Sequence, residues 1–291
     1  MDGADSTLAR KETPVILADA MAPWAPGPLQ SIGSTNLRVA IAADAGGRLA
    51  SVNWRGREWL QGHGAGHKAM IAWGCFPMVP WAGRLRDGRF NLDGRQIQLA
   101  RNSGHHAIHG LGFATDWDTL SRNGRTATLE LQLPCDQHWP FGGVATQRFD
   151  IDDDGLQFTL SVTAGASPMP CVLGWHPWFR KPQRLQFHPE LQYPRDADGI
   201  ATRPPGAVRT GPWDDCFIQR EPVVLEADGQ RLQITSSCDH WVIYDQPAST
   251  TCVEPQSGPP DAFNLEPAKH LLRPGETRSE WMRWQFSMLN D

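Results

Sequence analysis

Short period-two segments joined by two-residue turn signals run through most of this chain, and no other feature limits its possible folds so strongly. In "QRFDIDDDGLQFTLSV" (147–162), Phe149 and Ile151 alternate on one arm, and Leu156, Phe158, Leu160 and Val162 alternate on the other, around an Asp-Gly turn. Apolar residues at every second position place one face of a strand in a core and the other outside it. The pattern recurs at Leu129, Leu131 and Leu133, in "VVLEADGQRLQI" (223–234), and at Met282, Trp284 and Phe286. "AGGR", "LDGR", "RNGR", "DDGL" and "ADGQ" supply the chemistry of hairpin turns that need positive φ. Nowhere does a ten-residue apolar stripe of helical period appear, and 24 prolines and 28 glycines would interrupt most such stripes. The expectation is an all-β protein, a large antiparallel β-sandwich.

The 291 residues contain no internal repeat and no linker that would divide them. Residues 1 to about 30, rich in Ala and Pro, read as an extended, partly ordered leader, with an added edge strand as the alternative. Residues 31–291 then form a single β-sandwich domain. A net charge of −5 and a pI near 6.0 leave no basic footprint for nucleic acid. No apolar run reaches membrane-spanning length, and the N-terminus has no h-region, so the expected location is the cytoplasm. The six cysteines (75, 135, 171, 216, 238, 252) form no C-x-x-C pair and read as reduced thiols.

Polar side chains cluster where apparent strands meet Pro- or Gly-rich turns. These segments are "MVPWAGRLRDGRF" with Arg84, "NSGHHAIHGLGF" with His109, "VLGWHPWFRKP" with His176, "GPWDDCF" with Asp214 and Asp215, and "TTCVEPQSGPPDAFN" with Glu254. Tens of residues separate them, so only a sheet bordering a cleft could unite them. Each also has a plain structural reading: His176 as a hydrogen-bonded histidine among aromatic rings, Glu254 and Arg84 as an ion pair. The glycines around His105, His106 and His109 and the missing H-E-x-x-H context argue against a metal. "GHGAGH" (62–67) reads as a flexible surface loop.

Together, and in this order, the five segments resemble the aldose 1-epimerase family of the galactose mutarotase type, from about Leu37 to Phe286. "AGRLRDGRF" is similar to the family's Arg strand, "NSGHHAIHGLGF" to its N-x-G-x-x-x-[LI]-H-G segment, and "GWHPWF" to its His-Pro-aromatic-Phe segment. "DDCF" matches an Asp three residues before a Phe, and "VEPQSGPPDAFN" followed by "LRPGE" matches the Glu-x-Gln segment and its sequel. The resemblance implies a galactose mutarotase-like supersandwich and an isomerase that interconverts the α and β anomers of a free aldose without a cofactor or metal. It implies Glu254 as general base and His176 as general acid, with Arg84, His109 and Asp214 holding the sugar. Opening a pyranose takes one proton from the anomeric hydroxyl and gives one to the ring oxygen, so a base and an acid on opposite sides of a neutral substrate are expected. Trp81, Trp175 and Trp178 lie nearest in sequence and could stack on the sugar. Gly83, Leu111 and Trp178 depart from the usual galactose mutarotase pattern, which leaves the acid and base in place and bears on the choice of sugar. Alternatives are a hexose-phosphate 1-epimerase using Arg86, Arg89, Arg180 or Lys181, a non-catalytic sugar-binding module, and a glycosidase pairing Asp214 with Glu254.

Overall fold

The hairpins expected from alternation form two antiparallel sheets whose inner faces meet. The computed structural model describes residues 19–64 and 66–289, so residues 1–18 of the expected leader lie outside the described residues. One sheet has ten strands. Its main path runs Gln30–Gly33, Leu37–Ala42, Arg48–Trp54, Cys75–Met78, Gly174–Arg180, Thr250–Gln256, His240–Tyr244, Asp214–Ile218 and Leu191–Gln192. The other has eight, including the long hairpin Val144–Ile151 with Gly155–Thr163 and the strand Thr277–Met288 beside it. Among the described residues the sole α-helix is the four-residue turn Ala262–Leu265. The first strand, Gln30–Gly33, begins where the expected domain begins and pairs antiparallel with Leu37–Ala42.

All five turn segments join paired strands, but not by one mechanism. Asp93-Gly94 and Asp228-Gly229 take left-handed φ at both positions (48° and 74°; 50° and 75°), and Gly46 and Gly47 also lie there. The turns at 122–125 and 153–156 contain no left-handed residue, contrary to expectation. Side chains organise them instead: Asn123 Oδ1 accepts the Arg125 and Thr126 N–H groups, and Asp152 Oδ1 accepts that of Asp154. A short carboxamide or carboxylate mimics the turn's own hydrogen bond, so the backbone need not enter the costly region.

Strand pleating fixes the division of labour between faces. Trp175 and Phe179 of Gly174–Arg180 point between the sheets, Trp175 against Phe158 (centroids 6.1 Å) and Phe179 against Trp284 (4.9 Å). Trp54 stacks on Phe286 at 5.6 Å, and the Trp175 indole N–H donates to Gln147 Oε1 at 3.1 Å. These side chains are fully or nearly fully buried. The alternate residues, His176 and Trp178, face the outer side of the ten-stranded sheet, where long excursions of the chain cover them.

One charged group is fully buried beneath that covering layer. Arg48 donates to the carbonyls of Ala45, Met70, Trp73 and Phe113 at 2.5–3.1 Å, and its guanidinium lies over the rings of Trp73 (4.3 Å) and Phe76 (5.0 Å). Burial lowers its pKa to about 9, so it remains a cation at neutral pH. It satisfies four carbonyls from three separate segments, which no apolar residue could do. Arg48→Met should therefore lower unfolding free energy by roughly 3–5 kcal/mol in a urea titration, since several buried acceptors lose their donor. A loss below about 1 kcal/mol would contradict this account.

Candidate active site

The register of two neighbouring strands places the two proton-transfer candidates side by side. Gly174 pairs with Gln256 and Trp178 with Cys252, so the same register sets His176 opposite Glu254. Both side chains point to the outer face, and His176 Nε2 lies 3.2 Å from Glu254 Oε1. The other carboxylate oxygen accepts a hydrogen bond from Gln256 Nε2 at 3.3 Å, two residues along the same strand face. The next strands extend the row: Val242 pairs with Glu254, Cys216 with Val242, and Asp214 with Tyr244.

Two excursions complete the site. Arg84 and Ile108 pair in a two-residue ladder, and the His109 N–H donates to Gly83 O at 3.0 Å. His109 holds φ = 60°, and the following Gly110 holds φ = 75° with Val79 O only 2.0 Å from where a Cβ would stand, so that position admits only glycine. The turn after Glu254 reaches back to the Arg84 strand. Asp261 donates its N–H to Arg84 O at 2.8 Å, and its Oδ1 accepts the Arg86 N–H at 2.9 Å. Gly83 has φ = 68°, and an added Cβ would meet Pro260 Cα at 2.9 Å. This close approach explains why glycine precedes Arg84 in this chain: any larger residue would push the Pro260–Asp261 turn off the Arg84 strand.

The resulting cavity has a volume of about 250 Å³, and Arg84, His109, His176, Asp214 and Glu254, brought together from five segments, all line it. Asp215, Arg195, Tyr244 and Gln256 line it too. Of these four, Arg195, Tyr244 and Gln256 were not among the sequence candidates. Gln256 was accessible to reasoning, as it lies on the same strand face as Glu254, and Tyr244 sits in an alternating strand. Arg195 lies in an irregular segment with no such signal. Of the three tryptophans, Trp178 alone lines the cavity, stacked on His176 at 5.5 Å and 14°. Trp175 is turned to the opposite face by the pleat, and Trp81 stacks on Trp139 at 5.9 Å. None of Arg86, Arg89, Arg180 and Lys181 reaches the cavity. Arg180 donates to Leu60 O and Lys181 to Asp245 O, while Arg86 is occupied by carboxylates.

Burial dominates the electrostatics. It pushes the Glu254 carboxyl well above the usual range, Asp214 adding to the effect and Arg84 opposing it. It lowers His176 to about 3, with the charge of Arg48 contributing, and holds His109 well below the usual imidazole value. Burial thus favours the uncharged form of both His176 and Glu254. Buried His109 Nδ1 and Gln256 Oε1 have no hydrogen-bond partner, which marks places where a ligand's hydroxyls can be received. The Arg84 guanidinium has no ion-pair partner among the described residues. His176 Nε2, Glu254 and Cys252 Sγ offer donor atoms within 4.8 Å of one another, but burial keeps the Cys252 thiol protonated, which disfavours it as a metal ligand.

A buried imidazole and carboxylate at the wall of a cavity lined by polar side chains, on an antiparallel two-sheet sandwich, define a site suited to a small polar molecule. The chain belongs to the aldose 1-epimerase family, whose model matches residues 28–285. In structure it is similar to a galactose mutarotase-like protein from Clostridium acetobutylicum (TM-score 0.78, 16% identity, covering 89% of this chain and 94% of that one). It is also similar to galactose 1-epimerase from Lactobacillus acidophilus NCFM (TM-score 0.76, 17% identity, 92% and 98%). These neighbours bear out the galactose mutarotase-like fold. In sequence it is 33% identical over 152 residues to Uncharacterized protein YphB of Escherichia coli (strain K12), covering 51% of this chain and 50% of that one. The chain thus spans about half the length, or less, of the curated relatives it matches. No helix among the described residues is long and apolar enough to cross a membrane.

A carboxyl forced to carry a proton by burial is a cost to the fold. Its raised value means the folded state binds a proton that the unfolded chain releases, so the associated stability is present below the ordinary carboxylate value and lost as pH rises. Glu254→Gln removes that proton uptake. It should raise stability at pH 7 by about 1 kcal/mol, with the advantage shrinking toward pH 4, as read from denaturant midpoints across pH. A variant less stable than the parent at every pH would count against this electrostatic picture.

Proposed function

We propose that the protein is an aldose 1-epimerase that opens and recloses the ring of a free aldose, with Glu254 as general base and His176 as general acid. The observation that carries this reading is the buried His176–Glu254 contact of 3.2 Å at the cavity wall, within a chain of this family. On this reading His176 and Glu254 act side by side rather than from opposite sides of the substrate. Chemistry favours that arrangement, because the two oxygens exchanging protons are bonded to the same carbon.

In the productive form the proton lies on His176 and Glu254 is ionised, a tautomer of the resting pair with the same proton count. Glu254 accepts the proton of the anomeric hydroxyl, the bond between the anomeric carbon and ring oxygen breaks, and the ring oxygen takes the proton from His176. The products are the open-chain aldehyde and the neutral pair that burial already favours. Rotation about the first carbon–carbon bond presents the other aldehyde face, and the reverse transfers close the ring to the other anomer. Arg84 favours the ionised carboxylate, and His109, Asp214 and Gln256 receive hydroxyls. Trp178 offers an indole edge to the sugar's C–H face. Both proton functions are supplied by the chain, so the proposal needs no cofactor. The six unpaired cysteines fit a reducing, cytoplasmic location. The engagement of Arg180, Lys181 and Arg86 elsewhere supports a free sugar over a sugar phosphate.

Saturation-transfer NMR of anomer exchange tests the assignment. Glu254→Gln and His176→Asn should each cut kcat by about 10²–10⁴-fold, whereas Arg84→Ala should act mainly by raising KM. Exchange that stays at the buffer rate with every aldose would remove the enzyme reading in favour of a sugar-binding module. Because His176 is lowered to about 3 and Glu254 is raised, the pair keeps its single proton across the intervening range. Activity should therefore persist to lower pH than unperturbed groups of pKa about 4.3 and 6.5 would allow, because the acid limb follows the lowered His176.

A further inference from the structure

One wall of the cavity comes from a segment that no sequence motif singled out. Residues 193–203 form a small flap: Arg195 pairs antiparallel with Ala201, Thr202 N–H donates to Pro194 O at 2.8 Å, and Asp196 N–H donates to Ile200 O at 3.1 Å. Asp196 Oδ1 accepts the N–H groups of Asp198 and Ile200 and shapes the tip. Ile200 is fully buried and roots the flap, while Arg195, Gly199 and Ala201 face the cavity.

Ion pairs hold this flap on three sides. At its tip, Asp196 and Asp198 both pair with Arg86, Asp198 at 3.2 Å, and Arg86 also faces Asp261 at 3.9 Å. On its cavity side, Arg195 Nη1 contacts Asp214 Oδ2 at 3.0 Å as well as the Asp214 carbonyl, and Arg195 Nε donates to Gly199 O. Beyond it, Arg203 pairs with Glu266 in the turn that follows Glu254. The flap thus spans from the Arg84 strand to the Asp214 strand. Two strand spacings separate the Asp214 strand from the Glu254 strand, about 9–10 Å. A sugar whose anomeric carbon sits at His176 and Glu254 would therefore point its far carbons at Arg195 and the flap.

We propose that this latched flap, through Arg195 and the Arg86–Asp196/Asp198 pairs, is the specificity wall of the site and restricts it to monosaccharides, excluding reducing oligosaccharides linked through a far carbon. The inference rests on the aldose 1-epimerase reading. A glycosidic substituent at such a carbon needs the volume that Arg195, Gly199 and Ala201 occupy. The cavity, at about 250 Å³, is smaller than the roughly 300–1,000 Å³ of ordinary small-molecule sites, which suits one ring better than two. The latch is partly exposed, with side-chain exposure of 35% at Arg86, 28% at Asp196 and 57% at Asp198, so salt weakens it.

The experiment compares anomer exchange of glucose and galactose with that of maltose, cellobiose and lactose, in the parent, Arg86→Gln and Asp198→Asn, at low and high sodium chloride. In the parent, kcat/KM for the monosaccharides should exceed that for the disaccharides by at least about 10-fold, the scale a steric pocket can supply. Arg86→Gln, which lies outside the cavity, should narrow that ratio several-fold while monosaccharide turnover is kept, and high salt should narrow it in the parent. Asp198→Asn removes one latch contact and leaves Asp196 paired, so it should act in the same direction to a smaller extent and serves if Arg86→Gln does not fold. Disaccharides exchanged as fast as monosaccharides in the parent, or a ratio unmoved by both variants and by salt, would overturn the flap's role with the epimerase reading intact. No exchange of any monosaccharide would overturn the epimerase reading and this selectivity with it.

Discussion

The structure of the site depends on one antiparallel register, that between Gly174–Arg180 and Thr250–Gln256. It sets an imidazole opposite a carboxylate and, through the pleat, turns Trp175 and Phe179 into the core. A slip of one residue would send His176 between the sheets and bring Trp175 into the cavity. The aromatic packing of the inner face therefore fixes the chemistry of the outer face. Burying a wrong register would cost far more than any interaction at the site returns. Stability of the core and geometry of the pair are in this sense one property of the same two strands.

Burial then determines what the pair can do. The excursion carrying Arg84 and His109 and the turn after Glu254 exclude water from the two side chains, so both are pressed toward their neutral forms. Arg84 and Asp214 pull the carboxyl in opposite directions, so its ionisation responds to how a ligand engages each of them. The same water exclusion leaves His109 Nδ1 and Gln256 Oε1 without partners, a local cost that a polyhydroxylated ligand can relieve. Arg48, held by four carbonyls behind the ring of Phe76, which itself stacks on His176 at 4.6 Å, gives this wet-facing layer a rigid floor.

The covering layer is held differently from the core. Besides apolar contacts such as Phe90 against Phe263 (5.2 Å), its segments meet through backbone hydrogen bonds and ion pairs: Asp261 on the Arg84 strand, Arg86 on the flap tip, Arg195 on Asp214. Interactions of this kind are weak singly and sensitive to ionic strength.

Period-two alternation and turn chemistry in the sequence were sufficient for the all-β sandwich, because each hairpin is a local arrangement whose apolar face must be buried. The ordered motifs named Arg84, His109, His176, Asp214 and Glu254, which the fold brings to one cavity. Two turns departed from the expected backbone because Asn123 and Asp152 side chains did the work of left-handed residues. Trp175, adjacent in sequence to His176, fell outside the cavity because neighbours on a strand point to opposite faces, and Trp81, in the loop before Arg84, packs on Trp139 instead. Only the tertiary structure decided that His176 and Glu254 stand side by side, that Gln256 and Tyr244 join them, and that Arg195 lines the far wall. Those facts depend on strand register and on ion pairs between segments more than a hundred residues apart, such as Arg86 with Asp196, and local sequence does not encode a distance across a fold.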